Sequence, residues 1–219
     1  MAQRIAIVED HGLIAQTVAT ALSASGRDVD IVSPPADGDL MATIDPSRHD
    51  LVLLDLDLGP WGDATPMIRG VAETGVPVVM VTGVDDPVRH AACIAAGAVG
   101  VVKKSLGFDA LLNAVDRTLR DGALLSEHER QQHLSLHRGH LRQEAERLAP
   151  FEELSTREAE VLGELMVGRS VDEIAKSAVV TVATVRTQVR AILRKLDVAS
   201  QVAAIGLARD AGWVPPQER

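Results

Sequence analysis

Glu9, Asp10, Asp55, Thr82 and Lys104 are the residues whose types and spacing could do chemistry together. Each sits at or beside the carboxyl end of a short apolar run. Three carboxylates, a hydroxyl and an ammonium brought to one edge would make a site for a divalent cation and a phosphoryl group. Magnesium takes oxygen ligands in a near-octahedral shell and keeps several waters, so one or two carboxylates plus a carbonyl suffice from the protein. Glu9, Asp10 and Asp55 supply the acids, and the backbone carbonyl of Asp57 is a further candidate oxygen. With charge neutralised there, Asp55 could attack phosphorus to form an aspartyl phosphate. Lys104 would pair with the phosphoryl oxygens and Thr82 would donate its hydroxyl.

A second set of residues offers different chemistry. Residues 181–196 carry Arg186, Arg190, Arg194 and Lys195 and no acid. The same stretch places Val185, Val189, Ile192 and Leu196 on one helical face and the three arginines on another, so one face packs inward and the other can meet a polyanion.

The elements that must position the first set alternate. Ile5–Val8, Leu51–Leu54, Val76–Val81 and Gly100–Val102 are apolar runs free of charge, as strands buried on both faces of a parallel sheet should be. Asp28–Val32 reads as a further strand. Helical patterns fall at Gly12–Ser25, around Leu40 between Pro35 and Pro46, at Asp63–Thr74 with Pro66 near its start, at Pro87–Ala96 and at Phe108–Arg120. Five strands alternating with five helices predict right-handed crossovers and a doubly wound five-stranded parallel sheet of the α/β class. In such sheets chemistry collects at the carboxyl edge, where all five candidate side chains fall.

Length and charge agree with two domains. The chain of 219 residues has room for a core in each. Lys and Arg number 9 against 17 Asp and Glu in residues 1–125, 4 against 4 in 126–150, and 9 against 10 in 151–219. The net charge of −9 therefore belongs almost wholly to the first part, leaving a near-neutral second part with one basic helix. The single cysteine, Cys93, excludes an intrachain disulfide and suits a reducing cytoplasm. No apolar stretch approaches the roughly 20 residues that span a bilayer, and no signal-peptide pattern precedes the first strand, which predicts a soluble, cytoplasmic chain.

Between the two parts, Ser126–Leu148 is rich in Gln, Glu, Arg and Leu, strong helix formers. Leu134, Leu141 and Leu148 recur every seven residues, a coiled-coil stripe. Against pairing, the companion positions hold Arg138 and Ala145, and Gly139 weakens the helix. His128, His133, His137 and His140 cluster here, and His133 and His137 have metal-ligand spacing on a helix. No carboxylate or thiol completes a set, so the cluster reads as a solvated face.

From Leu154 the pattern changes. Ser155-Thr156-Arg157-Glu158 is a capping box opening a helix to Val167, closed by Gly168. A short helix at Val171–Lys176 and a third, capped by Thr181 and running to Leu196, complete a helix-turn-helix that lays its last helix in the major groove.

Two resemblances follow from these residues. Ile7-Val8-Glu9-Asp10-His11, Leu53-Leu54-Asp55-Leu56-Asp57, Val81-Thr82-Gly83 and Ala96–Gly100 leading to Lys104 resemble the receiver domain of response regulators over residues 1–122. The resemblance implies a flavodoxin-like fold with Asp55 as phosphoacceptor, Glu9 and Asp10 as metal acids for Mg2+, Thr82 as switch hydroxyl and Lys104 as partner lysine. Lys103 competes for that last role, but the family's count from the switch hydroxyl and from the glycine before the last strand favours Lys104. Where many receivers carry an inward-swinging Tyr or Phe, this chain has Val101, and it has no Tyr anywhere. The loop Leu58–Asp63, with Trp61, is longer and more glycine-rich than the usual Met-Pro turn.

Residues 152–214, with Leu154–Leu162, Gly168, Ile174-Ala175, Thr184-Val185-Arg186 and Ile192–Leu196, resemble the LuxR/NarL-type DNA-binding domain. By position in that family Arg186, Thr187 and Arg190 are base readers, and Thr181, Thr184, Arg194 and Lys195 phosphate contacts. Gln188 stands where the family usually has His. The helix at Gln201–Ala211 is often the family's dimer contact. The chain is thus expected to comprise a receiver domain at 1–122, a helical linker at 123–150 and a small all-α DNA-binding domain at 151–219.

The combination implies a response regulator and transcription factor, not an enzyme beyond accepting a phosphoryl group. Its implied partners are a sensor histidine kinase, promoter DNA, a second copy on activation and RNA polymerase, with no membrane. Two other readings stand beside it. One is a phosphorylation-independent regulator whose receiver is an interaction module, kept open by Val101. The other is a haloacid-dehalogenase-like phosphatase suggested by Asp55-Leu56-Asp57, a pair that family places after the first strand rather than the third.

Overall fold

The computed structural model describes residues 3–32, 44–45, 47–59 and 64–216. The helix expected around Leu40 and residues 60–63 of the Trp61 loop lie outside the described residues. Two compact units divide the chain, residues 1–138 and 139–219.

In the first unit five parallel strands, β1 (Arg4–Val8), β2 (Asp28–Val32), β3 (Leu51–Asp55), β4 (Val78–Thr82) and β5 (Gly100–Lys103), order as β2-β1-β3-β4-β5. The apolar runs become strands because alternate residues serve opposite cores. Val8, Val52, Leu54, Val78 and Met80 pack with Ile68, Val71 and Ile94, from α2 (Thr65–Glu73) and α3 (Pro87–Ala96). Ile5, Ile7, Leu51, Leu53 and Val79 pack with Ala15, Leu22, Leu111 and Val115, from α1 (Gly12–Ala24) and α4 (Gly107–Asp121). β3, central in the sheet, is buried at all five positions.

Most boundaries fall within two residues of expectation, and the departures have causes. β4 begins at Val78 rather than Val76, since Pro77 has no N–H for the ladder, although its carbonyl still accepts from Val52 N–H at 2.9 Å. The chain reverses after α3 at Gly97, whose φ of +120° favours glycine. A Cβ there would also meet that of Ala72 at 2.6 Å.

α5 (Glu127–Glu152) runs past Leu148 and through Pro150, whose missing N–H forfeits one bond in the last turn, and the boundary between the units falls within it. In the second unit α6 (Thr156–Met166), α7 (Val171–Ser177), α8 (Val182–Lys195) and α9 (Gln201–Asp210) close over Leu162, Leu165, Ile174, Val185, Ile192 and Ala208. Phe151 and Trp213 stack beside this core at 5.2 Å between ring centroids. The capping box at Ser155 and Glu158 forms as expected, and a second, unforeseen one joins Ser170 and Glu173 at the start of α7.

Candidate functional site

The parallel pairing of Val8 with Leu54 brings the ends of β1 and β3 side by side, at the point where the strand order reverses. Glu9 and Asp10 leave β1 there and Asp55 ends β3. Glu9 is 8% and Asp55 5% exposed, a costly placement for carboxylates unless they are paired.

Lys104 supplies the pairing. It opens the 3₁₀ turn after β5, and its ammonium donates to Glu9 Oε2 at 2.6 Å and to Asp55 Oδ2 at 2.9 Å. Burial pulls its pKa down, but the hydrogen bonds and charges of Glu9 and Asp55 outweigh that and hold it above the ordinary lysine value. Lys103, one residue earlier, points elsewhere and pairs with Asp85 at 2.7 Å, holding that carboxyl below its usual range. Lys103 is the last residue of β5 and Lys104 the first of the 3₁₀ turn, so the two side chains leave the strand end toward different partners and Lys104 reaches the acids.

Ligand atoms of Glu9, Asp10, His11 and Asp55 lie within 4.8 Å of one another. Clustered carboxylate oxygens fit a hard divalent cation such as Mg2+. His11 is the member sequence reasoning missed: its Nδ1 lies 2.7 Å from Asp10 Oδ1 and 3.3 Å from Glu9 Oε1. The hydrogen bond and charge of Asp10, with help from Glu9, raise its pKa. Its adjacency to Asp10 was the available signal. Gly59 was also missed; it has φ +54°, and a Cβ there would stand 2.6 Å from Asp10 Oδ2. Asp57 is exposed, and its backbone N–H donates to Asp55 Oδ1 at 3.2 Å.

Thr82 ends β4 one register step past Val81, the partner of Asp55. It is wholly buried, and its Oγ1 accepts from Val84 N–H at 3.0 Å. Val101 packs against the core on the α2 and α3 side. A cleft of about 330 Å³ runs from Glu9, Asp55 and Lys104 between α1 and α4, rimmed by Leu13, Ile14 and Phe108.

The second candidate site lies on α8. Thr181 caps it, accepting from Thr184 N–H at 3.1 Å, with the two hydroxyls 2.8 Å apart. Arg186, Thr187, Arg190 and Arg194 are exposed, while Val185 and Ile192 are buried. Two residues differ from the rest of the expected set. Gln188 is half-buried and its Oε1 is enclosed without a hydrogen-bond partner. Lys195 donates to Glu158 Oε2 at 2.6 Å and to the Glu153 carbonyl at 2.8 Å, so its charge ties α8 to α6. Burial works against ionisation of Glu158, yet Lys195 and Ser155 lower its pKa.

The fold, the acid-lysine cluster and the basic helix describe an α/β domain with an acidic site at its strand ends, followed in the chain by a helix-turn-helix domain. Comparison with known proteins gives the same class. Residues 5–116 match the response regulator receiver domain and residues 152–208 the luxR family of bacterial regulatory proteins. The nitrate/nitrite response regulator protein NarP of Escherichia coli is 31% identical over 210 residues, covering 92% of each chain. The probable transcriptional regulatory protein NarL of Mycobacterium tuberculosis is 29% identical over 208 residues, 94% of this chain and 93% of that one. A CheY-like receiver domain structure from Methanospirillum hungatei shares the fold of the first unit, at TM-score 0.50 and 24% identity over 55% of this chain and 96% of that one. The chain belongs to the response regulators that carry a luxR-type DNA-binding domain.

Proposed function

We propose that a sensor histidine kinase phosphorylates Asp55 and that this controls dimerisation and promoter binding by the second unit. The observation that carries the reading is the Lys104 ammonium bridging Glu9 and Asp55, a cation already aimed at the oxygens of the acceptor. An Asp55 carboxylate oxygen attacks the phosphorus, and the bond from phosphorus to the donor histidine nitrogen breaks as the ring takes up a proton. Lys104 then moves from the lost carboxylate charge to the phosphoryl oxygens, and Thr82 turns its hydroxyl from the Val84 turn toward one of them. Glu9, Asp10, Asp55 and the Asp57 carbonyl would hold Mg2+, which offsets the negative charge of acceptor and phosphoryl group. Beyond accepting the phosphoryl group, the chain carries out at most a slow hydrolysis of its own aspartyl phosphate.

Val101 is small and already packed, so an aromatic swing is not the relay. The path runs through the Thr82–Asp86 loop, which Lys103 ties to β5 through Asp85. On DNA, Arg186, Thr187 and Arg190 read base edges, while Thr181, Thr184 and Arg194 hold phosphates. Gln188 reads a base only after turning out, and Lys195 serves first as a structural tie. Residues 123–150 act as the linker, and the protein works in the cytoplasm, where promoter and RNA polymerase are. The test compares the full chain with its Asp55→Asn variant, with and without acetyl phosphate and Mg2+, by sedimentation and promoter binding. Phosphodonor should raise dimer fraction and DNA affinity in the parent alone; an equal rise in both would sink the reading.

A further inference from the structure

The histidines of α5 are not used by the switch or by the DNA reader. From residue 127 to 142 the partly shielded residues are Arg130, His133, Leu134, His137 and His140, which repeat at three- and four-residue spacing and so form one stripe. His133 and His137 stand one turn apart on it, with Cβ atoms about 5–6 Å from each other, a spacing that lets two imidazoles grip one metal ion. His137 Nδ1 is enclosed and has no hydrogen-bond partner, leaving Nε2 for a metal. Phe151 is the only residue of this 26-residue helix buried in the chain's own core, and Leu136 and Leu141 are 42% and 48% exposed.

With Leu134, Leu141 and Leu148 at heptad position a, instead of at d where Arg138 and Ala145 would be their companions, His137 falls at d and His133 at g, on the seam of a two-stranded coil. An imidazole at d without a partner opposes such pairing. As a ligand shared between two helices it would instead fix their register.

We infer that α5 carries a transition-metal site: His133 and His137 chelate one ion of the Zn2+ class, and the same pair from a second copy closes a four-imidazole shell. Imidazole nitrogens at about 2.0–2.1 Å in a tetrahedral shell suit Zn2+, whereas the oxygen-rich cluster at Asp55 suits hard cations. The second copy supplies what one chain lacks, since two imidazoles leave half the shell open. The site is independent of Asp55 chemistry and needs no phosphodonor.

The experiment titrates the unphosphorylated full chain with Co2+, whose visible absorption is intense in a tetrahedral nitrogen shell and weak among six oxygens. Sedimentation with Zn2+ or with a chelator reads the oligomer. One intense-band Co2+ per two chains, with a Zn2+-dependent dimer, is expected. His137→Gln and His133→Gln, which keep a good helix former, should each weaken the band's metal affinity by about tenfold or more. Asp55→Asn and His128→Gln should leave it unchanged. No intense band, a band surviving in His137→Gln, or one ion per chain without dimerisation would each overturn the proposal.

Discussion

The edge of the sheet at Asp55 and the outer face of α8 are both charged, but they are assembled in opposite ways. At the sheet edge, the Glu9-Asp10 pair, Asp55 and Lys104 are far apart in sequence and meet because parallel strands end together. Their charges are buried or half-buried, few and mutually dependent. On α8 the arginines come from one helical turn after another, stay exposed, and lean on no common partner. A buried convergent site can change state as a unit when one charge is altered. An exposed periodic one changes by increments, residue by residue.

Substitutions can break or sharpen that contrast. The largest effect is expected from Lys104→Met, which leaves three carboxylates without their cation. A loss of about 2–4 kcal/mol in urea unfolding of the first unit is expected, below that of a fully buried pair because the lysine side chain is 26% exposed. Added Mg2+ should restore part of the loss, and a midpoint indifferent to Mg2+ would argue against a shared site. Arg186→Ala should weaken specific DNA binding by about 1–3 kcal/mol with no change in unfolding midpoint. An equal loss on unrelated DNA would reassign it to a phosphate.

Glu158→Gln tests a place where the second unit borrows the logic of the first. It should cost about 1–2 kcal/mol at neutral pH by removing the hydrogen bonds from Lys195 and Ser155 N–H. Because the folded pKa of Glu158 is lowered, its contribution is present above the ordinary carboxylate pKa and lost as pH falls through the folded value. The stability difference between parent and variant should therefore shrink on acidification. The smallest effect is a gain. Val179, in the turn between α7 and α8, is 92% exposed with φ +54°, a strained setting for a β-branched residue. Val179→Asn should raise the thermal midpoint of the second unit, by about 0.5–1 kcal/mol in stability.

Much of this was legible beforehand for identifiable reasons. Charge-free runs marked β1, β3, β4 and β5, and Ser155 and Glu158 announced the start of α6, because strand burial and helix capping are local rules. The family's count favours Lys104 over Lys103, and the physical reason, that β5 ends at Lys103 and the 3₁₀ turn carries Lys104 to the acids, is visible only in the fold. His11 stands next to Asp10 in the chain, but adjacency does not show that its ring turns back onto the acids, and the contact of Gly59 with Asp10 arises only in three dimensions. Lys195 looked like one more basic residue of α8 until α6 was packed beside it.

The sequence by itself determined which segments are strands and helices, which face of α8 is apolar, and which residue types could hold a metal and a phosphoryl group. These follow from periodicity and side-chain chemistry, which are carried by neighbours along the chain. Only the tertiary structure decided which ammonium reaches Asp55, which histidine joins the acids and which lysine is withdrawn from the DNA-facing set. Both lysine placements depend on distances between residues 37 to 95 positions apart, and packing alone determines such distances.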